Sequence, residues 1–216
     1  MTDVWSQRAD AFRESPTHRE GPDLDLLVEW CEPGEGVTVL DVATGGGHVA
    51  RRLREAGCNV VTVDPAPGMR PDVVAPAEHI PFADASFDVV ACRIAAHHFQ
   101  DIRTAVAEMA RVTKRLVVIE DNVYVDDAVE AAERLRDPTH VRCYSEAEWT
   151  ELLTEAGLDV EQVGRFDRHP AVDDWLARVE TPPRDATRVR ELLGDRIAGG
   201  VLRLQSIVVK ASKGRS

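Results

Sequence analysis

The fold is decided by the stretch Val39-Leu40-Asp41-Val42-Ala43-Thr44-Gly45-Gly46-Gly47-His48-Val49-Ala50, where an apolar run ends in three glycines and a helical pattern begins. Glycine tolerates a positive φ and has no Cβ to hold a ligand away from the backbone, so a tight strand–helix turn is expected here. A second apolar run, 59–63, is followed by Asp64, 19 residues after Gly45. A carboxylate at that place can accept hydrogen bonds from both hydroxyls of a ribose. The stretch therefore predicts a βαβ unit whose turn binds a nucleoside.

The same alternation of β-rich runs and helical patterns continues along the chain and predicts a doubly wound α/β fold with a mostly parallel sheet. The predicted strands are 37–42, 59–63, 72–75, 87–93, 115–120, 159–166 and 201–211. The predicted helices are 4–13, 22–31, 48–56, 101–113, 126–136, 145–156, 171–180 and 184–193, and Ser145 with Glu148 forms a capping-box pattern. Without repeats or a linker, residues 1–216 are expected to form one domain, with a helical cap drawn from 1–31, 122–156 and 167–198.

Composition excludes several classes of partner. The formal net charge is −12, from 38 acidic and 26 basic residues, so the average surface repels a phosphate backbone and nucleic acid is not expected as a substrate. No apolar run is long enough to span a bilayer, and the first residues lack the apolar stretch of a signal peptide, so no membrane partner and a cytoplasmic location are expected. The four cysteines are far apart, which favours reduced core residues over disulfides or a zinc site.

Two kinds of cofactor fit the glycine turn. Gly45, Gly47 and Ala50 satisfy the spacing of a dinucleotide-binding turn, so a nicotinamide cofactor is one reading. The acidic Asp41, four residues before the first glycine, favours the other reading. A dinucleotide presents an anionic pyrophosphate, which a neighbouring carboxylate would repel. S-adenosylmethionine (SAM) carries an ammonium and a sulfonium, which a carboxylate attracts.

Three segments, VLDVATGGGHVA at 39–50, VVTVD at 60–64 and EHIPFADASFDVVACRIAAHHF at 78–99, resemble the class I SAM-dependent methyltransferases. The resemblance covers residues 35–120 and is greatest to the type 11 branch, which includes quinone C-methyltransferases. It implies a seven-stranded sheet in the order 3-2-1-4-5-7-6 with the last strand antiparallel. It also implies methyl transfer from SAM to a small-molecule acceptor.

The resemblance further implies which residues hold SAM. Asp41 would bind the methionine ammonium and Asp64 the ribose hydroxyls. The other residues expected beside the cofactor are Thr44, Gly45, Gly47, Pro65, Ala77 and, through its backbone, Arg93. The chain departs from the family in two ways. Pro76 stands where an Asp commonly meets the adenine amino group, and the prolines at 65, 67, 71 and 76 predict that the helix between strands two and three is reduced.

Candidates for the acceptor side lie at strand ends and in the cap, because methyl transfer needs alignment and, for some acceptors, a base. They are His97, His98, Glu120, Asp121, Tyr124, His140 and Tyr144. Among these we predict that His97, His98, His140 and Tyr144 serve the reaction, with ordinary loop packing as the alternative. Trp5, Phe12 and His18 are candidates for a lid, although an amphipathic helix sealing the core would explain Trp5 and Phe12 equally well.

No metal is expected. Asp121-Asn122 imitates part of a magnesium site found in some methyltransferases, but Arg93-Ile94 supplies no third carboxylate. Two rival functions stay open: a nicotinamide-dependent oxidoreductase, and a degenerate nucleoside-binding member without turnover. The sequence also leaves open the acceptor, the atom that is methylated, and whether the chain forms a homodimer.

Overall fold

A seven-stranded sheet forms the centre of the molecule, which the computed structural model describes over residues 2–214. The strands are β1 (Thr38–Val42), β2 (Asn59–Asp64), β3 (Val73–Val74), β4 (Phe87–Arg93), β5 (Thr113–Asn122), β6 (Leu158–Arg168), β7 (Ile197–Ala198), β8 (Val201–Leu202) and β9 (Leu204–Lys213). The main sheet has the order 3-2-1-4-5-9-6, and β7 pairs with β8 in a separate ribbon. The first five strands are parallel, and β9 runs antiparallel to β5 and β6. The predicted fold class is confirmed, with β9 as the antiparallel seventh strand.

Helices cover both faces of this sheet. They are α1 (Thr2–Glu14), α2 (Pro16–Arg19), α3 (Pro22–Trp30), α4 (His48–Glu55), α5 (Ile102–Val112), α6 (Asp127–Arg136), α7 (Glu146–Glu155), α8 (Val172–Ala177) and α9 (Pro183–Leu193). Alternate residues of a strand point to opposite faces, and both sets are apolar here. Leu40 packs in the core that includes α5 and α7, whereas Val39 packs in the core that includes α3 and α4.

The segments that the sequence predicted as a helical cap fall into two sets in the structure. Helices α6, α8 and α9 share a separate apolar core around Trp175 and Val189, and α1 packs on a 3₁₀ turn. In contrast α3 and α7, which the predicted cap ranges included, contribute Leu24 and Trp149 to the two cores beside the sheet. Their apolar faces are buried by the sheet, so they belong to its covering layers. The domain limits predicted at residues 1 and 216 lie outside the described range.

The segment between β2 and β3 contains only the 3₁₀ turn Pro67–Met69, which confirms that the helix there is reduced. The capping box of Ser145 and Glu148 is also confirmed at the start of α7. The strand predicted at 201–211 is divided in two. Val201–Leu202 pairs with β7, and the Arg203 amide continues that pairing by donating to the Arg196 carbonyl, whereas the chain from Leu204 onward pairs with β5 and β6. All four cysteines are buried with free thiols. Among the helices of residues 2–214, none combines the length and apolar character that crossing a bilayer requires.

Candidate functional site

A cavity of about 490 Å³ opens at the carboxyl ends of β1, β2 and β4. This is the edge of a doubly wound sheet at which ligands bind. Trp5 and Phe12 of α1 line one side of the cavity, and the loop 138–141 lines another. The two aromatic residues also contact each other with ring centroids 5.6 Å apart. The lid predicted from the sequence is therefore part of the cavity wall.

The three glycines of the turn after β1 have three different roles. Gly45, at φ +51°, lines the cavity and donates its amide to Asp64. Gly46 also lines the cavity, and a Cβ there would lie 2.9 Å from the Phe12 carbonyl oxygen, so this glycine allows α1 to dock. Gly47, at φ +75°, is the N-cap of α4 and is not among the residues that line the cavity, so its place beside the cofactor stays a prediction. Its glycine is required by the backbone conformation.

Asp41 reaches the floor of the cavity from β1 and is almost completely buried. Its Oδ2 accepts hydrogen bonds from the Thr44 hydroxyl at 2.6 Å and from the Ala50 amide at 3.2 Å. Burial raises the pKa of this carboxyl to about 6, against the lowering effect of those two hydrogen bonds. A cation placed in the cavity would favour the ionised carboxylate and reverse that rise.

Asp64 ends β2 and supplies a second buried carboxylate to the same cavity. Its Oδ2 accepts from the Gly45 amide at 3.0 Å, and its Oδ1 accepts from the Ala66 amide at 2.9 Å. The two amides fix the carboxylate plane and leave each oxygen with a further lone pair. Burial raises the pKa of Asp64 as well. This is a fixed pair of acceptors of the kind that vicinal hydroxyls require.

The wall beside Asp64 is apolar and is completed by α1. Pro65, Met69, Pro76, Ala77 and Phe99 line it. The 3₁₀ turn is bound to α1 by the Gly68 amide, which donates to Ser6 Oγ at 3.0 Å, and by Arg13, which donates to the Gly68 carbonyl at 3.1 Å. A Cβ at Gly68 would lie 2.6 Å from Ser6 Cα. The first helix thus packs against the short turn that stands here in place of the helix that the family usually carries.

Arg93 ends β4 and lines the cavity, but its side chain is committed to structural contacts. Its guanidinium is ion-paired with Asp23 at 2.5 Å and with Glu120, and it donates to the His18 carbonyl at 2.9 Å. Burial alone would lower the pKa of Arg93, and the two carboxylates raise it overall. The contribution expected of this residue was through its backbone, and the side-chain contacts are compatible with that. Asp23 had no signal in the sequence, because its partner is 70 residues away.

His98 lines the same cavity as the two carboxylates. Its Nδ1 lies 3.1 Å from the Thr139 carbonyl oxygen, which can only accept, so Nδ1 carries the proton and Nε2 is left with a lone pair. Burial holds the pKa of His98 well below 6.5, and the positive charge of His97 lowers it further. His98 is therefore a neutral imidazole at neutral pH with a basic nitrogen, which is the condition for a general base.

His97 has a different environment from its neighbour. Its Nδ1 lies 2.5 Å from Asp121 Oδ1, and its amide donates to Asp121 Oδ2 at 2.8 Å. Burial alone would lower the pKa of His97, but the contact with Asp121 raises it overall. The His97 carbonyl also accepts from the Val141 and Arg142 amides. His97 therefore anchors the loop 138–141, and it lines a smaller cavity beside the main one.

Comparison with known proteins identifies this arrangement. Residues 40–118 match the family model of a methyltransferase domain. YcgJ of Bacillus subtilis strain 168, an uncharacterized methyltransferase, is 32% identical over 201 residues, which are 82% of this chain and 79% of YcgJ. The chain belongs to the class I SAM-dependent methyltransferases. A demethylmenaquinone methyltransferase of Renibacterium salmoninarum is 40% identical over 108 residues, 44% of this methyltransferase and 46% of its relative. The crystal structure of YcgJ superimposes with a TM-score of 0.82 at 28% identity, covering 90% of this chain and 99% of YcgJ.

His140 lines the cavity of the methyltransferase and belongs to a buried cluster with Glu130 and Cys143. Its Nε2 lies 3.3 Å from Glu130 Oε2, and Glu130 Oε1 accepts from the Cys143 amide at 3.0 Å. The three side chains bring one nitrogen, one sulfur and one oxygen within 4.8 Å of one another. Glu130 was missed in the sequence, because it is an ordinary acidic position of a helical pattern in α6. Its carboxylate holds the loop that carries His140.

Tyr144 does not line the cavity of the methyltransferase, so a role for it in the reaction stays a prediction without support from its position. Its ring packs in the core beside the sheet at 5.6 Å from Trp149, and Arg142 covers it at 4.7 Å. The residue follows the cavity loop in sequence, but its backbone bridges Val123 at the end of β5 and turns the side chain into the core. Of the other candidates, Tyr124 is bonded through its hydroxyl to Asp127 and also lies outside the cavity.

Proposed function

We propose that this methyltransferase transfers a methyl group from SAM to a small-molecule acceptor and leaves S-adenosylhomocysteine. One observation carries the proposal: the same cavity is lined by two buried carboxylates, Asp41 and Asp64, and by a neutral histidine, His98. The carboxylates suit a nucleoside that bears an ammonium, and the histidine suits an acceptor that loses a proton. We further propose that the chain forms one domain, in which α1, α6, α8 and α9 act as the cap.

The cofactor half of the cavity fits SAM. Asp41 would hold the ammonium. Burial raises the pKa of this carboxyl to about 6, and a positive charge beside it would favour the ionised carboxylate and lower that pKa again. Asp64 would accept from the ribose hydroxyls with the two oxygens that Gly45 and Ala66 hold in place. The apolar wall around Pro65, Met69 and Ala77 has the character that adenine requires. SAM, when bound, supplies an electrophilic methyl group.

The acceptor half of the cavity, lined by Trp5, Phe12 and His98, would orient the methyl acceptor and provide a base. Trp5 and Phe12 close the cavity on the side of α1 and limit the access of water. His98 Nε2 can accept the proton that the acceptor loses on methylation, because the Thr139 carbonyl fixes the tautomer. Alignment of the acceptor with the methyl group supplies most of the acceleration in such a reaction, and the base adds about 10²–10⁴-fold where the acceptor needs one.

Titration calorimetry with SAM, S-adenosylhomocysteine and NADH tests the proposal. The Asp64→Asn variant keeps the shape of the side chain but loses its charge, so we expect affinity for SAM about 10- to 100-fold weaker than that of the wild type. Asp84→Asn, at a carboxylate 79% exposed to solvent, is the control and should bind as the wild type does. The nicotinamide alternative predicts binding of NADH and none of SAM, and family membership speaks against it.

A folded protein that binds neither SAM nor S-adenosylhomocysteine would refute the proposal. SAM binding without formation of S-adenosylhomocysteine across a broad panel of small acceptors would favour the second alternative, a nucleoside-binding member without turnover.

A further inference from the structure

Three buried side chains that can bind a metal ion meet beside the loop 138–141. Glu130 lies in α6, and His140 and Cys143 lie in the chain that follows this helix. One oxygen, one nitrogen and one sulfur of these residues lie within 4.8 Å of one another. Among the side chains that the structure describes, no second group of three histidines, cysteines or acidic residues comes as close together. The cluster is therefore the strongest candidate for a metal centre in the described part of the chain.

The separations in the cluster are close to those of a tetrahedral zinc site. Zinc binds nitrogen and oxygen at about 2.0–2.2 Å and thiolate sulfur at about 2.3 Å, which places the ligand atoms about 3.3–3.7 Å apart. His140 Nε2 and Glu130 Oε2 are already 3.3 Å apart. The limit of 4.8 Å for the other pairs exceeds the zinc spacing by about 1 Å. A contraction of that size needs only side-chain rotation.

The donor atoms favour zinc over the hard cations. Magnesium and calcium take oxygen ligands, whereas zinc takes nitrogen, sulfur and oxygen together. His140 and Cys143 are separated by two residues, a spacing typical of ligand pairs in zinc sites. The sequence predicted no zinc site because the four cysteines are far apart. This cluster uses one cysteine, and its carboxylate comes from a helix ten residues before the histidine.

Glu130 brings to the cluster a negative charge that a cation would neutralise. Its Oε1 accepts from the Cys143 amide at 3.0 Å, which orients the carboxylate toward the other two ligands. Arg134, one turn further along α6, lies 3.5 Å from Oε2, but its side chain is 56% exposed. Such a surface pair contributes little to stability. An ion bound at Oε2 would replace this weak pair with a strong one.

The Cys143 thiol becomes a ligand only with its proton removed. Burial raises the pKa of this thiol, and the charges of Asp121, Glu133 and Glu130 raise it further, so without a cation the sulfur keeps its proton. A divalent ion reverses that preference, and the proton passes to solvent as the metal–sulfur bond forms. One divalent ion, one thiolate and one carboxylate are neutral together, so the loaded cluster buries no net charge.

We propose that Glu130, His140 and Cys143 bind one Zn²⁺ ion, with a water molecule in the fourth position of the tetrahedron. The ion fastens the loop 138–141 to α6, and this loop carries the Thr139 carbonyl beside His98 Nδ1. The site contains neither of the two carboxylates that would hold SAM. The proposal therefore does not depend on the proposed function, and its test requires no cofactor.

Cobalt provides the test on the wild-type protein, because Co²⁺ occupies zinc sites and its spectrum reports the ligands. The reduced protein is stripped with a chelator and titrated with Co²⁺. We expect about one ion per chain, a thiolate-to-cobalt charge-transfer band in the near ultraviolet, and the intense visible bands of tetrahedral cobalt. Zn²⁺ should abolish these bands, and an excess of Mg²⁺ should leave them unchanged, since Mg²⁺ prefers oxygen ligands.

Variants locate the ion. Cys143→Ala should remove the charge-transfer band and weaken the binding of Zn²⁺ at least about 100-fold, since loss even of a residue that only supports a ligand costs about 10–100-fold. Glu130→Gln, which keeps the shape of the side chain, should weaken Zn²⁺ by at least about 10-fold. Cys58→Ala is the matched control, at a buried cysteine of the core that includes α3 and α4, and should keep both the band and the affinity.

Hydrogen exchange tests the consequence for the loop. The Val141 and Arg142 amides donate to the His97 carbonyl, and Zn²⁺ should slow their exchange in the wild type and in Cys58→Ala but not in Cys143→Ala.

A folded wild-type protein that shows no thiolate band with Co²⁺ overturns the proposal, and so does a band that persists in Cys143→Ala. If Cys143→Ala does not fold, unchanged affinity of Glu130→Gln for Zn²⁺ overturns it in the same way.

Discussion

Asp41→Asn is expected to make the protein more stable and unable to hold SAM tightly. The carboxyl is buried, and its pKa is raised from its usual 3.8 to about 6. That rise corresponds to about 3 kcal/mol, since one pKa unit is about 1.4 kcal/mol. The folded protein binds this proton more tightly than the unfolded chain, so its stability falls as pH rises from about 4 to about 6 and stays lowered above that. Asparagine carries no such charge and can still accept from Thr44 and Ala50.

The free energy of unfolding, measured with urea across a pH series, gives the magnitude. At pH 8 the variant should exceed the wild type by about 2–3 kcal/mol, and the difference should fall by about half at pH 5. In the same samples the affinity for SAM should drop at least about 10-fold, because the ammonium loses its charged partner.

Asp88→Asn, on the neighbouring strand, is a control of opposite sign. Its carboxylate accepts from the hydroxyl and the amide of Thr38, and these bonds lower its pKa to about 2. It stabilises the fold above pH 4 and loses that effect as pH falls toward 2, so this variant should be less stable at pH 8. The reasoning on Asp41 is refuted if Asp41→Asn is less stable than the wild type at pH 8, or if its affinity for SAM is unchanged.

Three further substitutions separate the parts of the site. His98→Asn keeps a hydrogen-bond donor toward Thr139 but removes the basic nitrogen. For an acceptor that must lose a proton, kcat should therefore fall about 10²–10⁴-fold while the affinity for SAM stays unchanged. An unaltered kcat with such an acceptor would exclude His98 as the base. In the wild type at saturating SAM, the low pKa of His98 predicts that kcat does not decline from pH 8 to pH 6. Gly68→Ala places a Cβ against the backbone of Ser6, so hydrogen exchange in α1 should increase and SAM should bind more weakly. Gly34→Ala is the control and should change neither, because its Cβ would make only an ordinary contact, 3.7 Å from Val37 Cγ2. Tyr144→Phe should keep kcat within about two-fold of the wild type, because the ring packs in the core. A large fall in kcat would show that the Tyr144 hydroxyl takes part in the reaction.

The sheet and the cofactor half of the cavity were predictable from sequence because their signals are local. Apolar runs of strand length marked β1, β2 and β4, and Asp41 and Asp64 fall at the carboxyl edge simply because each lies in or after a strand. The prolines after Asp64 predicted the reduced helix correctly, since each removes an amide and restricts the backbone.

The surroundings of Gly46 and Tyr144 were not predictable, because they depend on segments far apart in sequence. Gly46 accommodates a carbonyl of α1 that is more than 30 residues earlier. Tyr144 directly follows a loop that lines the cavity, and its position in the sequence therefore suggested a place in the site. Its backbone bridge to Val123, just after β5, turns the side chain into the core instead.

Helix α1 joins the two ends of the cavity physically. Its Ser6 and Arg13 are bonded to Gly68 beside the nucleoside end, and its Arg8 is bonded to Asp137 and to the Val179 carbonyl beside the acceptor end. A displacement of this one helix would break contacts at both ends of the cavity together, so release of the used cofactor and of the methylated product would depend on the same helix. If that displacement were slower than methyl transfer, it would set the upper limit on turnover.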